Sequence, residues 1–149
     1  MDSKEYMNLA HREAEAAAAR GEVPIGAVVV GPSGEILAAA GNEVEARNDP
    51  TAHAEVLAIR AAGEKLGAPR LPGCDLYVTL EPCPMCATAA SFARIRRIVF
   101  GAYDPKGGGV EHGPRIYSQP TCHHAPDVVG GVEASRAERM LKGFFAVRR

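Results

Sequence analysis

The sequence predicts an α/β layered domain whose sheet is partly antiparallel. Segments with the composition of buried strands alternate with segments of helical periodicity, an order typical of layered α/β proteins. Two of the strands are separated only by Pro32-Ser33-Gly34, and so short a turn indicates a hairpin. The chain has 149 residues and shows neither a repeat nor a linker, so we expect one domain over residues 1–149.

The first half of the chain is expected to fold as a helix, a hairpin and a second helix. Asp2 and Glu5 have the spacing of a capping box ahead of an alanine-rich stretch, and Gly21 ends the helix that they begin. A polar loop separates the hairpin from the second helix. The predicted elements are a helix over 2–20, strands over 24–31 and 35–41, and a helix from 51 to about 66.

The second half is expected to add three strands and two helices. The predicted elements are a strand over 75–80, a helix over 84–93, strands over 97–101 and 128–132, and a closing helix over 133–147. Between them lies a long stretch, 103–121, which contains Gly107-Gly108-Gly109. We expect a functional loop there, because long loops often place adaptable backbone beside a site; a disordered connection is the alternative.

Composition and charge narrow the class of protein. Hydrophobic residues make up 46% of the chain and charged residues 23%, as in ordinary globular proteins. No apolar run approaches the roughly 20 residues of a membrane span. The net charge is −1 and the pI about 6.5, which is not the basic balance of many nucleic-acid binders. Arginines do cluster over 94–97 and 136–149, as they also do on solvated helix faces.

The cysteines and the N-terminus indicate the cytoplasm. Residues 1–5 are not a basic segment followed by an apolar one, so no signal peptide is expected. At least two of the four cysteines belong to a metal motif, which favours a reducing compartment. Cys74 and Cys122 are expected to be ordinary thiols.

Two short motifs together predict a catalytic zinc site. They are His53-Ala54-Glu55 and Cys83-Pro84-Met85-Cys86. One imidazole and two thiolates would bind zinc and leave a fourth position open for water, as catalytic sites do. Glu55 stands beside a ligand, where a general acid or base for that water would be. The pattern matches H-x-E…P-C-x-x-C, the known signature of zinc-dependent base deaminases.

Two other interpretations of the cysteine pair remain possible from the residues alone. A Cys-x-x-Cys pair after a strand also occurs in thioredoxin-like redox proteins, but that interpretation leaves His53-Ala54-Glu55 unexplained. A closed structural zinc site would need a fourth protein ligand, which Cys122-His123-His124 could supply.

The spacing of His53 and Glu55 makes a geometric demand. A helix beginning near Thr51 would place His53 in its first turn, and positions two apart do not share a helix face. Both side chains can therefore reach one site only if the helix end is pushed against it. Cys83 and Cys86 would lie on one face of a helix starting near Pro84, so two helix N-termini should meet at the metal.

Several blocks of the sequence resemble one known family. The chain is similar over nearly its whole length to the bacterial tRNA-specific adenosine deaminases of the cytidine-deaminase-like superfamily. The segment 110–129 departs from the enterobacterial pattern and resembles an alphaproteobacterial variant. The blocks that carry the resemblance are Glu22-Val23-Pro24-Ile25-Gly26-Ala27-Val28, Gly41-Asn42, Asp49-Pro50-Thr51-Ala52-His53-Ala54-Glu55, Tyr77-Val78-Thr79-Leu80-Glu81-Pro82-Cys83, Phe144-Phe145 and Arg148-Arg149.

The resemblance implies a fold and a reaction. The fold would be a three-layer α/β/α sandwich around a five-stranded mixed sheet. The reaction would be hydrolytic deamination of the wobble adenosine of a tRNA anticodon, in which zinc activates a water and Glu55 moves protons. One Zn²⁺ per chain would be held by His53, Cys83 and Cys86.

The resemblance also suggests substrate contacts and a partner. Asn42 and the backbone N–H of Ala54 would hold the flipped base. The other substrate contacts are expected at Asp104, Lys106, Phe145 and Arg149. Asp104 and Lys106 could instead form a turn with Pro105, and of Phe144 and Phe145 one should be core and one near the RNA. Family members are homodimers, and the Cys-x-x-Cys helix region together with residues 91–97, including Phe92 and Ile95, would form the interface.

Two rival functions share some of these features. A deaminase of a free base or nucleoside, such as guanine, cytidine or adenosine, would have the same zinc chemistry. A zinc-stabilised interaction module without catalysis is the second rival. Glu55 argues against the module, because a purely structural site has no use for a carboxylate beside a ligand.

Overall fold

Strands and helices alternate along residues 1–148, which are the residues that the computed structural model describes. In chain order the elements are α1 (Ser3–Ala19), β1 (Gly26–Val30), β2 (Ile36–Gly41), α2 (Ala54–Leu66), β3 (Asp75–Leu80), α3 (Pro84–Phe92), β4 (Arg97–Ala102), a 3₁₀ turn (Ile116–Ser118), β5 (Asp127–Val129) and α4 (Ala134–Val147). The first helix begins as predicted, because the Asp2 side chain accepts a hydrogen bond from the Glu5 N–H.

The strands form one mixed sheet in the order β2-β1-β3-β4-β5. β1 pairs antiparallel with both β2 and β3, and β3, β4 and β5 run parallel to one another. α1 and α4 pack on one face, and α2 and α3 on the other. This confirms the three-layer α/β/α sandwich and the hairpin.

The α1 helix lies unusually close to the hairpin because glycines face it. A Cβ on Gly26 would overlap the carbonyl oxygen of Ala10, and one on Gly41 would stand 2.7 Å from the carbonyl oxygen of Glu13. Alanines of α1, including Ala10, are fully buried against the sheet. Small residues on both sides therefore set the spacing of this layer.

The core beneath α2 and α3 is also built from small helix residues and large strand residues. Ala58 and Ala62 of α2 and Ala90 of α3 are fully buried in one cluster with Ile98 and Phe100 of β4. The short side chains of α2 let that helix pack closely on β1 and β2. The N-terminal ends of α2 and α3 are thereby held at the same edge of the layer.

The predicted start of α2 at Thr51 is wrong by three residues. The carboxylate of Asp49 accepts hydrogen bonds from the N–H and the hydroxyl of Thr51, and the Thr51 carbonyl accepts from the N–H of His53. These bonds fold 49–53 into a tight turn, so the helix begins only at Ala54.

The last strand ends earlier than predicted, and the disordered alternative for the long loop is not observed. β5 ends at Val129, before Gly130, although the N–H groups of Gly131 and Val132 still bond to β4 carbonyls. Gly131 has a φ of 86°, which ends the extended conformation. Residues 103–121 are folded with a 3₁₀ turn rather than disordered. Among residues 1–148, no helix is long and apolar enough to cross a membrane.

Candidate active site

The metal-binding motifs lie at the first residues of α2 and α3. His53 and Cys83 are the N-cap residues of the two helices, and both have extended backbone conformations. Neither side chain caps its own helix, so both are free to face the space between the helix ends. His53 thus lies outside the helix and Glu55 inside it, which satisfies the geometric demand without requiring both on one helix face.

The three donor atoms are spaced as a tetrahedral zinc ion requires. Nδ1 of His53 lies 3.6 Å from Sγ of Cys83 and 3.5 Å from Sγ of Cys86. Zinc–sulfur bonds of about 2.3 Å and zinc–nitrogen bonds of about 2.0 Å at tetrahedral angles put S and N about 3.5 Å apart. Within residues 1–148, this is the only group of three or more potential ligands that converges this closely.

The pKa values of the two cysteine thiols are shifted in opposite directions by their hydrogen bonds and by burial. Hydrogen bonds from Cys86 and His53 lower the pKa of Cys83 to about 4. The Cys83 thiolate, together with burial, raises the pKa of Cys86, and the hydrogen bond to Cys83 raises the pKa of His53. These shifts favour one thiolate, at Cys83, before a metal binds, and metal binding would displace the proton of Cys86.

Glu55 is a buried carboxyl group beside these ligands and is not one of the three. It lies in the first turn of α2 with only 4% of its surface exposed. Burial raises its pKa to about 7. A carboxyl group in that state can take up or release a proton near neutral pH.

Asn42 is anchored directly to the metal-bearing helix. Its Oδ1 accepts a 2.8 Å hydrogen bond from the N–H of Ala54, in a buried position. The bond occupies the carbonyl end of the side chain and leaves the amide nitrogen to donate elsewhere. The Ala54 N–H, which the family resemblance assigns to the base, is bonded to Asn42 in the structure.

A cavity of about 440 Å³ lies beside Asn42 and His53. Phe144 and Arg148 of the C-terminal helix region also line it. The Arg148 guanidinium carbon lies 3.5 Å from the centre of the Phe144 ring, and Nη1 of Arg148 donates a 3.1 Å hydrogen bond to the Phe144 carbonyl. Of the three residues that could hold a metal, His53 lines this cavity, whose volume lies in the range of small-molecule sites.

The comparisons with known proteins agree with this geometry. The model of the cytidine and deoxycytidylate deaminase zinc-binding region matches residues 1–102. The tRNA-specific adenosine deaminase of Agrobacterium fabrum is 58% identical over 144 residues, which cover 97% of this chain and 94% of that protein. The chain belongs to the tRNA-specific adenosine deaminase family.

Solved structures add the same fold at two levels of similarity. One, from a study of A-to-I editing by tRNA:A34 deaminases at the wobble position of transfer RNA, is 59% identical with a TM-score of 0.90. That match covers 92% of this chain and 99% of the other. The guanine deaminase of Bacillus subtilis is 42% identical with a TM-score of 0.67, over 69% of this chain and 66% of its own.

Of the two C-terminal phenylalanines, the structure brings Phe144 into the cavity of the deaminase and not Phe145. Phe144 is buried and lines the cavity, whereas Phe145 is 47% exposed and lies outside it. The rings meet edge to face, 5.3 Å apart. Phe145 remains the predicted outer contact for RNA. Arg149, the other predicted contact in this region, lies outside the described residues.

Asp104 of the deaminase forms a turn instead of reaching the cavity. Its Oδ1 accepts a 3.0 Å hydrogen bond from the Gly107 N–H, and its own N–H donates to Glu81. Lys106 is exposed at the tip of this turn. Of the two alternatives that the sequence allowed, the local geometry matches the turn with Pro105 for Asp104.

Glu81 organises the long loop of the deaminase, and sequence reasoning missed it. Its side chain is fully buried and lies 2.8 Å from Nδ1 of His112. Burial opposes its ionisation, but hydrogen bonds from the loop hold the pKa of Glu81 below its usual range. The carboxylate accepts hydrogen bonds from the backbone N–H groups of Asp104, Val110, Glu111 and His112.

The triple glycine explains how that loop fits against the metal centre. A Cβ on Gly108 would overlap the Glu81 carboxylate, and one on Gly109 would lie 2.6 Å from the backbone of Pro84. The Gly109 N–H donates to the carbonyl of Pro82, directly before Cys83. A buried acid two residues before a ligand, together with Gly107-Gly108-Gly109, was the signal that could have revealed this support.

A fourth protein ligand from Cys122 or His123 is not formed among the described residues. Cys122 lies 3.6 Å from the hydroxyl of Ser91, near the C-terminal end of α3, whereas the metal-binding set lies at the N-terminal end. The ring of His124 lies 2.7 Å from the carbonyl of Ile95. The deaminase therefore keeps the open three-ligand arrangement of a catalytic site.

One predicted interface residue is not at the surface. Ile95 is fully buried in the core of the chain, because residue 95 lies just before β4, beneath the α3 layer. Phe92, at the end of α3, is 72% exposed. Of the two apolar residues expected at a subunit contact, only Phe92 is available for one.

Proposed function

We propose that this deaminase converts the wobble adenosine of a tRNA anticodon to inosine. The observation that carries the proposal is the level of the family similarity: the adenosine deaminase of Agrobacterium fabrum is 58% identical over 97% of the chain. The guanine deaminases are less similar, at 42% identity over 69% of the chain for that of Bacillus subtilis and 24% over 97% for that of Nitrosomonas europaea. Since the zinc motifs are common to base deaminases, the substrate must be distinguished by the cavity wall and the C-terminal helix.

His53, Cys83 and Cys86 hold one zinc ion per chain in this proposal. When bound, zinc supplies a Lewis acid that makes a water molecule nucleophilic near neutral pH. The two cysteines serve as thiolates and His53 ligates through Nδ1, the atom that faces both sulfurs. The fourth position remains open because no further donor converges among residues 1–148.

Glu55 moves the protons of the reaction. Its carboxylate takes one proton from the attacking water and delivers it to N1; it then takes the second proton from the C6 hydroxyl and delivers it to the leaving amine. The C6–N6 bond breaks and ammonia leaves, so adenosine plus water gives inosine plus ammonia. Burial beside the ligands keeps this carboxyl group away from bulk water, where its proton would exchange freely.

Asn42 and the C-terminal helix hold the nucleoside. The amide nitrogen of Asn42 can donate to the base, because its oxygen is already bonded to Ala54. Phe144 and Arg148, stacked on one another, offer the nucleoside an apolar wall and a cation for a neighbouring phosphate. An adenine in an anticodon loop flips out at lower cost than one in a duplex, which favours a loop as the substrate.

The decisive experiment compares substrates. Inosine formation is measured on an anticodon stem-loop beside free adenosine, cytidine and guanine. We expect turnover of the stem-loop and little of the free compounds, because the cavity is built from both the zinc side and the C-terminal helix. Deamination of guanine as efficient as that of the stem-loop would contradict the proposal.

The zinc assignment has its own test in a pair of cysteine variants. We expect about one zinc per chain in the wild type and in Cys122→Ala, and none in Cys86→Ala, by metal analysis of folded protein. Zinc loss in Cys122→Ala would mean that the site is closed by a fourth protein ligand.

We also propose that the deaminase is a cytoplasmic homodimer whose subunits meet through Phe92. An exposed phenylalanine beside Met85 and Thr88 provides an apolar centre that water would otherwise surround. Phe92→Asp should give monomers by light scattering at micromolar concentration, and Phe145→Asp, on α4, should not. A monomeric wild type would contradict the assignment.

A further inference from the structure

The connection between α1 and β1 contains a buried carboxylate that the mechanism does not use. Glu22 is 2% exposed, although it borders the same cavity as Asn42. Its two oxygens accept hydrogen bonds from the N–H groups of Glu45, at 3.1 Å, and Ala46, at 2.8 Å. Both donors belong to the loop that follows Asn42, more than twenty positions away in the chain.

The same connection holds Asn42 itself. Nη2 of Arg20 donates a 3.1 Å hydrogen bond to the Asn42 carbonyl, and the Asn42 N–H donates to the carbonyl of Ile25. A cation thus meets a carbonyl oxygen, and an anion meets two N–H groups. Hydrogen bonds with one charged partner are shorter and stronger than neutral ones, so this contact should be rigid.

The segment that Glu22 holds is the wall of the cavity. Val44 and Glu45 line the cavity beside Asn42 and His53. The segment 44–46 belongs to no strand, and the backbone hydrogen bonds around it are those of a local turn, from the Asn48 N–H to Glu45 and from the Asp49 N–H to Val44. Without an acceptor at Glu22, the N–H groups of Glu45 and Ala46 would lose their partners, and this turn would be held less firmly against the connection between α1 and β1.

We propose that Glu22 is a positioning residue that fixes the cavity wall formed by residues 44–46 against the bound nucleoside. The inference rests on the proposed function only in that a nucleoside of the substrate RNA occupies the cavity. Glu22 does not touch the reacting atoms, and it is not in the metal-binding group. Its effect should therefore appear in substrate binding and not in the chemical step.

The test uses Glu22→Gln with Glu43→Gln as the matched control. Glutamine keeps the shape of the side chain but presents an NH₂ group to one of the two N–H donors. Glu43 directly precedes this segment, and among the described residues its carboxylate faces only the Arg47 side chain, at 3.4 Å. Both variants remove one negative charge, so their difference reports the backbone contacts.

We expect Glu22→Gln to speed amide hydrogen exchange at Glu45 and Ala46 and to raise KM for the stem-loop by roughly three- to tenfold. Zinc content and kcat should stay near those of the wild type. Glu43→Gln should change neither exchange nor KM. This split between KM and kcat distinguishes a positioned wall from general destabilisation.

Three results would overturn the inference. Faster exchange with an unchanged KM would show that the wall does not position substrate. Loss of zinc or a matching fall in kcat would show that Glu22 supports the metal centre instead. An equal rise of KM in Glu43→Gln would make the effect one of charge. If the wild type deaminates a free base and not the stem-loop, the proposed function fails, and the same KM comparison made with that base decides the inference.

Discussion

The two faces of the sheet contribute to the site by different means. On one face, α2 and α3 begin at His53 and Cys83, and their first turns supply Glu55 and Cys86. On the other face, α1 and α4 carry no ligand, and they reach the cavity through the connection after α1 and through Phe144 and Arg148. The chemistry is encoded within a few residues at each helix start, whereas the cavity depends on contacts between distant parts of the chain.

The largest effect is expected for Glu55→Ala, on the sheet face that α2 and α3 cover. We expect turnover to fall by ~10²–10⁴-fold, because only the proton carrier is removed while the three ligands remain. Glu64→Ala, at an exposed position of the same helix, is the matched control and should behave as the wild type. The measurement is single-turnover inosine formation with zinc content determined in parallel.

Either of two outcomes would change the comparison. A nearly wild-type rate would show that Glu55 is not the proton carrier. Zinc loss in the variant would show that Glu55 supports the ligands. The three ligands would then not suffice by themselves to hold the metal.

This locality explains which parts could be predicted from the sequence. The residue types and spacing of His53, Cys83 and Cys86 follow from coordination chemistry, and the structure brings their donor atoms together. The hairpin and the first helix also follow from neighbouring residues, since turns and caps are local features. The five strands also followed from the residue pattern, whereas the three-layer arrangement came from the resemblance and the strand order was not predicted.

Two of the failures depended on partners far away in the chain, and the third, at the start of α2, had a local cause. Glu81 was missed because its donors lie up to 31 positions later, and no local pattern reports them. Ile95 was expected at a surface because it is a single apolar residue between arginines. Nothing in the neighbouring sequence indicates that its side chain is buried. The start of α2 was misplaced because the Asp49 side chain accepts a hydrogen bond from the Thr51 N–H, and this bond forms a turn ahead of the helix. Long-range hydrogen bonds are thus the part that a sequence hides.

The sheet face that α1 and α4 cover should lose stability at low pH. His11 of α1 is fully buried, and neither ring nitrogen has a hydrogen-bond partner among the described residues. Burial, with Arg136 of α4 nearby, lowers its pKa from 6.5 to about 4, although Glu133 and Glu15 oppose the shift. The folded protein therefore resists protonation that the unfolded chain accepts.

The sign of the effect follows from that difference. Above pH 6.5 His11 is neutral in both states; as the pH falls from 6.5 to 4 the unfolded state gains a proton first, and stability is lost. The loss amounts to about 3 kcal/mol at most. We expect His11→Leu to lose less stability than the wild type between pH 7 and 4.5 in urea titrations.

An exposed histidine provides the control for this prediction. His123→Ala should retain the acid dependence of the wild type, because residue 123 lies at the surface. Equal pH dependence in His11→Leu and the wild type would show that carboxyl groups, and not the α1–α4 face, set the acid limit.

The smallest effect, on stem-loop binding, is expected at the C-terminal end of α4, where we expect the RNA to bind. Removing Arg148 and Arg149 should weaken stem-loop binding several-fold and flatten its salt dependence, by a slope of roughly 0.7 per lost phosphate contact. The net charge of −1 predicts few such contacts and a shallow slope in the wild type. Binding is measured at low and high salt, with Arg139→Ala as a control at an exposed position of α4.

Arg148→Lys separates the two roles that Arg148 could have. Lysine keeps the charge but not the planar group that stacks 3.5 Å from the centre of the Phe144 ring. If Arg148 contacts phosphate, the lysine variant should keep the salt slope of the wild type and most of its affinity. If it lines the cavity through the stack, affinity should fall while the slope stays the same.

Unchanged affinity at both salt concentrations after removal of both arginines would mean that the tail is only a solvated end. Substrate recognition would then rest on the cavity wall alone.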